Sequence, residues 1–273
     1  MFRRAFKGRD WWLAQCRCGL RFTHPAPGLD DLLEFYSGSY HSELLDGGDR
    51  KFAAKFKTYI SMIPPDARRG RSLDVGCTTG LFPAMLRDAG FDAEGLEVNP
   101  AIAAWGRAHY GLSITEGTFE EFAAPDGSFD LITMMDVLEH TIDPLAALKK
   151  VNQLLRPGGL AMFSFPDISA PKSRYYKMLA RVTGREWLWI TCAVPLHVWE
   201  FTRATALTAF GRAGFEPVRF ARTGQPEERL IGKHGFLSLP ALAFDLPAVG
   251  AVVGIGMIFL MRKARAAGQT SAD

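Results

Sequence analysis

Apolar and polar positions in the central part of the chain alternate between two kinds of segment. Short apolar runs bounded by glycine, asparagine or aspartate predict buried strands, at 73–76, 93–98, around Ile114, 129–134 and 160–165. Segments with helical spacing between them predict helices at 81–89, 100–109 and 143–155. Because strands and helices take turns, the pattern predicts an α/β fold with a doubly wound, mostly parallel sheet.

The flanking regions extend this pattern in both directions. Helices are predicted over 29–40 and 51–62, where they would lie over the carboxyl edge of the sheet, and Pro64-Pro65 marks a boundary before the first strand. After the fifth strand an insertion at 167–202 precedes a helix at 203–213 and a strand at 217–222. We expect 256–262 to form a last, antiparallel strand.

The most informative stretch is the first strand and its turn, Ser72-Leu73-Asp74-Val75-Gly76-Cys77-Thr78-Thr79-Gly80, which is followed by Glu97 at the tip of the next strand. A small-residue turn that opens a helix brings backbone N–H groups close to a ligand. A carboxylate at the next strand tip can accept both hydroxyls of a ribose. The pair predicts a nucleoside site, although the glycines lack the spacing of a pyrophosphate-binding loop.

The order of these motifs over about 70–222 resembles the class I S-adenosylmethionine-dependent methyltransferase family, and therefore implies its Rossmann-like fold and S-adenosylmethionine as cofactor. Thr78 stands where the family most often has glycine, and Thr118 stands where it frequently has an acid. The resemblance places the cofactor's methionine part at the turn, its ribose at the second strand tip, and its adenine between residues after the next two strands. The implied cofactor-binding residues are Asp74, Gly76, Cys77, Gly80, Glu97, Val98, Thr118, Phe119, Met135 and Asp136.

From this resemblance we expect transfer of a methyl group to a small-molecule acceptor, at oxygen. An oxygen nucleophile gains reactivity when a neighbour removes its proton, so His197 and His140 are the candidate catalytic bases. Two alternatives stay open, a non-catalytic scaffold with the same fold and a nicotinamide-dependent oxidoreductase. The oxidoreductase would need a third glycine, which 81–83 do not supply.

Two groups of residues contain side chains that could bind a metal ion. If Asp136 opened a helix, Asp136, Glu139 and His140 would share one face, which resembles a stretch of quinone O-methyltransferases where a divalent cation could bind. Cys16-Arg17-Cys18 is similar to the end of a zinc ribbon, but zinc usually takes two separated cysteine pairs and no second pair precedes this one. We predict no bound metal and a vestigial β-hairpin around the two cysteines.

Composition limits the classes of binding partner and the cellular compartment that we expect. The 273 residues carry a net charge of +3 without dense Lys/Arg runs, which argues against nucleic acid. Four scattered cysteines do not make a disulfide framework, and residues 1–7 lack the apolar stretch of a secretory signal, so we expect a cytoplasmic protein.

The remaining predictions concern the acceptor and a membrane surface. The insertion at 167–202 is rich in Tyr, Trp and Arg, so we expect it to form a lid for an aromatic or lipophilic acceptor. The segment 236–261 is apolar and followed by basic residues, a pattern that suits peripheral membrane contact. The predicted domains are 1–66, ribbon remnant and covering helices; 67–166, cofactor-binding core; 167–202, lid; and 203–265, the C-terminal part of the sheet with its apolar segment.

Overall fold

The strands of the protein form two sheets. The computed structural model describes residues 3–6, 9–36, 42–183, 196–223 and 254–264. Its strands are β1 (Arg3–Phe6), β2 (Arg9–Gln15), β3 (Arg21–His24), β4 (Arg71–Val75), β5 (Asp92–Glu97), β6 (Ser113–Glu116), β7 (Phe129–Met135), β8 (Leu155–Pro166), β9 (Trp199–Glu200), β10 (Phe215–Thr223) and β11 (Gly256–Lys263).

The larger sheet has seven strands in the order β10-β11-β8-β7-β4-β5-β6. β4, β5, β6, β7 and β8 pair in parallel, and β11 runs antiparallel to both of its neighbours. The order reverses at β4, so the carboxyl ends of β4 and β7 flank the crevice in which open α/β sheets bind ligands. The predicted fold class is confirmed, and so is the antiparallel final strand.

Seven helices accompany the strands in the described parts of the chain. They are α1 (Leu29–Tyr36), α2 (Ala53–Met62), α3 (Leu81–Asp88), α4 (Pro100–Tyr110), α5 (Pro144–Leu154), α6 (Pro171–Thr183) and α7 (Arg203–Arg212). Helices α4 and α5 begin in the same way. Asn99 and Asp143 cap them through side-chain oxygens, and a proline occupies the first turn of each helix. Short 3-10 segments lie at Ser42–Phe52, Pro65–Ala67 and Leu138–His140.

Both faces of the large sheet are covered by helices. Ile132, Phe163 and Phe259 lie in one apolar cluster with residues of α5 and α7. Their neighbours along the same strands lie in a second cluster with residues of α2 and α3. Because successive strand residues point to opposite faces, this alternation means that the strands are buried on both sides, as in a parallel sheet.

One sequence prediction differs from the structure in this region, and another is tested only in part. The described part of the helix predicted over 29–40 is Leu29–Tyr36, and 37–41 lie outside the described residues. The helix that could have begun at Asp136 is absent, because Asp136 has a left-handed backbone (φ 57°) and only the 3-10 turn Leu138–His140 follows. A helix cannot continue through a left-handed residue, so the conditional placement of Asp136, Glu139 and His140 on one helix face was wrong.

The small sheet has the order β1-β2-β3-β9 and joins the N-terminal part of the chain to the inserted segment. The predicted hairpin is β2 with β3, and its turn carries Cys16 and Cys18, both exposed. The addition of β9 was not predicted, since the two residues Trp199–Glu200 pair with Phe22 and Arg21 across a long sequence separation.

The structure describes only the last part of the apolar C-terminal segment, 236–261. Residues 236–253 lie outside the described part of the chain. Residues 256–261 are buried in β11, between β8 and β10, so they are not available to a membrane. Among the helices that the structure describes, none has both the length and the apolar character needed to cross a bilayer.

Candidate active site

The turn after β4 has an unusual backbone. Gly76 (φ 69°), Thr78 (φ 48°) and Gly80 (φ 88°) all adopt the left-handed conformation. A side chain on residue 76 would place its Cβ 2.6 Å from Cγ2 of Val137, so only glycine fits there. Thr78 is a β-branched residue in a conformation that such residues rarely adopt, which marks it as strained.

Glu97, at the end of β5, faces this turn. Its Oε2 accepts the backbone N–H of Thr78 at 2.9 Å and its Oε1 accepts that of Asn99 at 2.9 Å. Burial raises the pKa of Glu97, while the backbone N–H groups of Asn99, Thr78 and Val98 oppose that shift. Each oxygen has further lone-pair capacity, so the carboxylate can accept additional hydrogen bonds from a diol.

Asp74 and Cys77 lie beneath the same turn and are buried. The Asp74 carboxyl accepts the hydroxyl of Thr133 at 2.6 Å, and burial raises its pKa to about 7 despite that hydrogen bond. Burial also raises the pKa of the Cys77 thiol well above its usual value. Asp74 therefore holds β4 to β7, and Cys77 remains a neutral thiol rather than a nucleophile.

A cavity of about 370 Å³ opens above the carboxyl ends of β4, β5 and β7. The predicted cofactor residues on its wall are Asp74, Gly76, Cys77, Glu97, Val98, Thr118, Phe119, Met135 and Asp136. The remaining one, Gly80, is the N-cap of α3 and lies between two residues of the wall, Thr79 and Leu81, without lining the cavity itself. The structure thus brings nine of the ten predicted residues to one cavity.

Within this wall the two neighbouring candidates Thr118 and Phe119 differ in what they offer a ligand. Phe119 is buried, and its backbone carbonyl accepts a hydrogen bond from Lys150 at 2.6 Å. The hydroxyl of Thr118 donates to Glu121 at 2.9 Å, which lies on the exposed side of the loop. Phe119 can therefore contribute a ring face to the cavity, while the Thr118 hydroxyl already has a local partner.

Residues 29–36 and 42–56, which we call the cover, form the opposite wall of the cavity. The apolar members of this wall come from α1, the 3-10 segment and α2, and they are Leu29, Leu32, Leu33, Tyr36, Leu44, Phe52 and Phe56. Three polar contacts join the cover to the sheet edge. Asp49 accepts the hydroxyl of Thr79 at 2.8 Å, Lys55 pairs with Asp136 at 2.8 Å, and Asn99 Nδ2 donates to the carbonyl of Tyr36 at 2.9 Å.

The described residues of the insertion at 167–202 lie away from the cavity wall. Among its described residues, 167–183 and 196–202, none lines the cavity, and Trp187 and Trp189 lie outside the described part. Tyr176 is buried, and Trp199 donates from its indole nitrogen to the carbonyl of Thr141 at 2.8 Å. These described rings pack inside the protein, and a lid formed by the insertion stays a prediction.

The two candidate bases contact each other. The rings of His140 and His197 meet edge to face with centroids 4.8 Å apart. His140 Nδ1 lies 2.9 Å from the carbonyl of Leu196, and since a carbonyl only accepts, Nδ1 carries the proton and Nε2 is the basic nitrogen of the neutral ring. His140 lines the cavity, whereas His197 lies behind it with Nδ1 3.4 Å from Glu200.

The side chains around these histidines include possible ligands for a divalent cation. Ligand atoms of Glu139, His140 and His197 lie within 4.8 Å of one another, a different group from the one that the sequence indicated. Burial raises the pKa of Glu139 to about 8, which favours a neutral carboxyl, and the Asp136 carboxylate is bound by Lys55. A divalent cation prefers charged, accessible oxygens, so these side chains do not fit one well.

Lys55 and Asp49 were not identified from the sequence. Both are polar residues on covering segments, and nothing in their local spacing distinguishes them from the exposed Lys51 and Lys57 nearby. The available signal was the position of Lys55 one turn before Tyr59 on the buried side of α2.

Comparison with known proteins adds family information to this geometry. Residues 47–219 match a family described as a methyltransferase domain. A ubiquinone biosynthesis O-methyltransferase of Cereibacter sphaeroides is 31% identical over 194 residues, which cover 65% of this chain and 76% of the relative. Two relatives of known structure share the fold, both S-adenosylmethionine-dependent methyltransferases.

The first of these structures, from Mesorhizobium loti, is 24% identical, with a TM-score of 0.54 over 77% of this chain and 97% of its own. The second, from Thermotoga maritima, is 21% identical, with a TM-score of 0.53 over 81% of this chain and 96% of its own. At these identities the structural likeness supports the arrangement of strands and helices described above.

Proposed function

The chain belongs to the S-adenosylmethionine-dependent methyltransferases, whose methyltransferase domain spans more than half of it, and from this premise we propose that it methylates a hydroxyl oxygen of a small aromatic or lipophilic acceptor. Its cofactor is S-adenosylmethionine and its acceptor is a small molecule. The choice of oxygen is supported by relatives named ubiquinone biosynthesis O-methyltransferase at about 30% identity. The aromatic or lipophilic character is supported by the apolar cover.

One observation carries the cofactor assignment, namely the Glu97 carboxylate beside the left-handed turn. Glu97 is oriented by the backbone N–H groups of Thr78 and Asn99, so its position does not depend on a flexible partner. A fixed carboxylate that accepts a ribose diol fits a nucleoside without phosphates, because the turn offers no pyrophosphate cradle. In the proposed site Gly76 and Gly80 shape the methionine end, and Val98, Phe119 and Met135 border the adenosine.

The bound cofactor supplies an electrophilic methyl group on a sulfonium, and the protein's residues supply alignment, a dry cavity and a proton acceptor. His140 is the proposed base, since its Nε2 carries the lone pair and its ring lines the cavity. His197 lies behind His140 and holds its ring through the edge-to-face contact, and Glu200 in turn lies 3.4 Å from Nδ1 of His197. Proton removal raises the nucleophilicity of the acceptor oxygen, which then attacks in line with the sulfur–carbon bond.

Calorimetry with S-adenosylhomocysteine, NAD and NADP as separate ligands tests the cofactor. We expect binding of S-adenosylhomocysteine alone, with saturation in the micromolar range. Binding of a nicotinamide nucleotide would favour the oxidoreductase alternative, and no binding at millimolar S-adenosylhomocysteine would favour a non-catalytic scaffold.

Methyl transfer is tested by incubating the protein with S-adenosylmethionine carrying a labelled methyl group and a panel of catechols with and without alkyl chains. We expect labelled O-methyl products, identified by mass spectrometry, and faster turnover of the alkylated members. Compounds that offer nitrogen or carbon as well as oxygen serve as control acceptors. Label on their nitrogen or carbon, with none on oxygen, would contradict the proposal.

Several predictions remain proposals at this stage. We retain the four-part division at 66, 166 and 202, the absence of a bound metal, the cytoplasmic location and membrane contact through 236–253. The first is supported by the boundary at Pro64-Pro65 before β4 and by the position of α6 and β9 between β8 and α7.

A further inference from the structure

Most of the ionisable side chains around the cavity are acidic. The acidic side chains on its wall are Asp49, Asp74, Glu97, Glu120 and Asp136, and among the described residues Lys55 is the one Lys or Arg that lines it. A negative surround favours a sulfonium ligand, but it opposes an acceptor oxygen that is losing its proton. An acceptor oxygen that loses its proton in this cavity would therefore be stabilised by a cation beside it.

Lys55 supplies a cation on the cover side of this cavity. Its ammonium lies 2.8 Å from Oδ2 of Asp136, the residue that follows β7, and its side chain is 18% exposed. The other oxygen of Asp136 accepts the hydroxyl of Ser164 at 3.0 Å, and the hydroxyl of Tyr59 interacts with both Lys55 and Ser164. This ring of contacts fixes the lysine, and the ion pair holds the pKa of Lys55 above and that of Asp136 below their usual values.

An ammonium has three N–H groups, and these contacts leave at least one for a ligand. Asp136 takes one and Tyr59 takes at most a second. Because Lys55 also lines the cavity, the third is available to an oxygen of the acceptor. We propose that Lys55 is a catalytic residue, whose ammonium binds the acceptor oxygen that becomes methylated and stabilises its negative charge, with Asp136 as the residue that positions it.

This inference rests on the proposed function, and the step it describes balances. The acceptor O–H bond breaks and its proton goes to His140 Nε2, while Lys55 keeps its own protons and binds the resulting oxyanion. An oxygen lone pair forms the new O–CH₃ bond, and the electrons of the broken S–CH₃ bond remain on sulfur. No further co-reactant is needed.

The probe is 4-nitrocatechol, a phenol whose absorption reports its own ionisation. It is titrated in the presence of saturating S-adenosylhomocysteine against the unmodified protein, Lys55→Met, and Lys57→Met as a control for loss of one charge on the exposed side of the same helix. The other titratable groups along this edge, Asp136, Tyr59 and His140, are common to all three proteins. Lys55→Arg, which keeps the charge, tests for rescue.

We expect the bound phenol to ionise about one pH unit or more lower in the unmodified protein and in Lys57→Met than in Lys55→Met, with partial rescue in Lys55→Arg. Equal phenol titrations in the unmodified protein and Lys55→Met would overturn the inference. So would a Lys55→Met variant that loses only affinity for S-adenosylhomocysteine, since Lys55 would then serve the cofactor. If the unmodified protein binds S-adenosylhomocysteine but no 4-nitrocatechol, the inference fails while the cofactor assignment stands.

Discussion

The two walls of the cavity recognise ligands by different means. On the sheet side, residues 74–80 and 97–99 present backbone N–H groups, a fixed carboxylate and glycines in left-handed conformations. On the cover side, the wall consists mainly of apolar side chains of α1, α2 and the 3-10 segment between them. Backbone geometry suits a ligand that never changes, while side chains can vary with the acceptor.

The two walls also differ in how far they are continuous with the buried core of the protein. The sheet side is continuous with the buried core, because Asp74 and Glu97 sit at the ends of central strands. The cover contacts the rest of the site through polar contacts of Asp49, Lys55 and Tyr36 and through the ring contact of Phe56 with Phe82 of α3. Loss of a required glycine or of the fixed carboxylate on the sheet side should therefore weaken cofactor binding, whereas truncation of an exposed apolar side chain in the cover should weaken acceptor binding.

Substitution of Gly76 by Ala should give the largest effect. The added methyl group would meet Val137 at 2.6 Å and would sit on a left-handed backbone, so both overpacking and backbone strain oppose it. We expect the free energy of unfolding to fall by about 2–4 kcal/mol, with loss of S-adenosylhomocysteine binding. Urea denaturation and calorimetry measure the two effects.

Gly211→Ala is the matched control for that substitution. Gly211 lies in α7, where an added methyl group would point into open space, so alanine there should be neutral or stabilising by up to about 1 kcal/mol. A Gly76→Ala protein that keeps cofactor affinity would show that the sheet side does not require this close backbone approach.

Glu97→Ala should come second and should affect the cofactor far more than the acceptor. Loss of a charge-assisted acceptor for the ribose hydroxyls is expected to weaken binding by about 1.5–3 kcal/mol, or about 10- to 150-fold. Glu94→Ala is the control, because Glu94 lies on the same strand but pairs with Arg71 away from the cavity. Calorimetric affinities that are equal for both variants would remove Glu97 from the cofactor site.

The same contrast between the walls explains what could be predicted from the sequence. A glycine turn and a strand-tip acid are local signals, so Gly76 and Glu97 were assigned to one site before their distance was known. The starts of the helices predicted at 100–109 and 143–155 are also local, since Asn99 and Asp143 cap α4 and α5 through contacts two and three residues ahead. The doubly wound, mostly parallel sheet followed from the alternation of apolar runs and helices.

The cover could not be predicted in the same way. Lys55 reaches Asp136 across 81 residues of sequence, and the pairing of β9 with β3 joins segments even farther apart. The aromatic residues at 167–202 predicted a lid from composition, yet Tyr176 is buried and Trp199 bonds to Thr141. Composition indicates that rings will be buried, but only the tertiary structure decides whether they face a ligand.

Leu29→Ala tests whether the cover contacts the alkyl chain of the acceptor. Leu29 is 37% exposed at the cavity wall, so it can gain contact with an alkyl chain of the acceptor. Truncation should cost about 1 kcal/mol, or about fivefold, in kcat/KM for an alkylated catechol and leave the unsubstituted catechol and the cofactor unaffected. Val182→Ala, which removes an exposed apolar side chain elsewhere (79% exposed), should change none of these values. Equal losses with both catechols would place the alkyl chain outside the cover.

Thr78→Gly should give the smallest effect and the opposite sign. A threonine at φ 48° carries left-handed strain of roughly 1–2 kcal/mol, while glycine gains freedom in the unfolded chain that offsets part of this. We expect a net stabilisation of about 0.5–1 kcal/mol in urea denaturation, with the backbone N–H of residue 78 still donating to Glu97 and cofactor affinity unchanged. Thr115→Gly, in a regular strand position of β6, should destabilise by a similar amount. A Thr78→Gly protein that loses stability would mean that the hydroxyl bond to the Cys77 carbonyl, 2.8 Å long, outweighs the backbone strain.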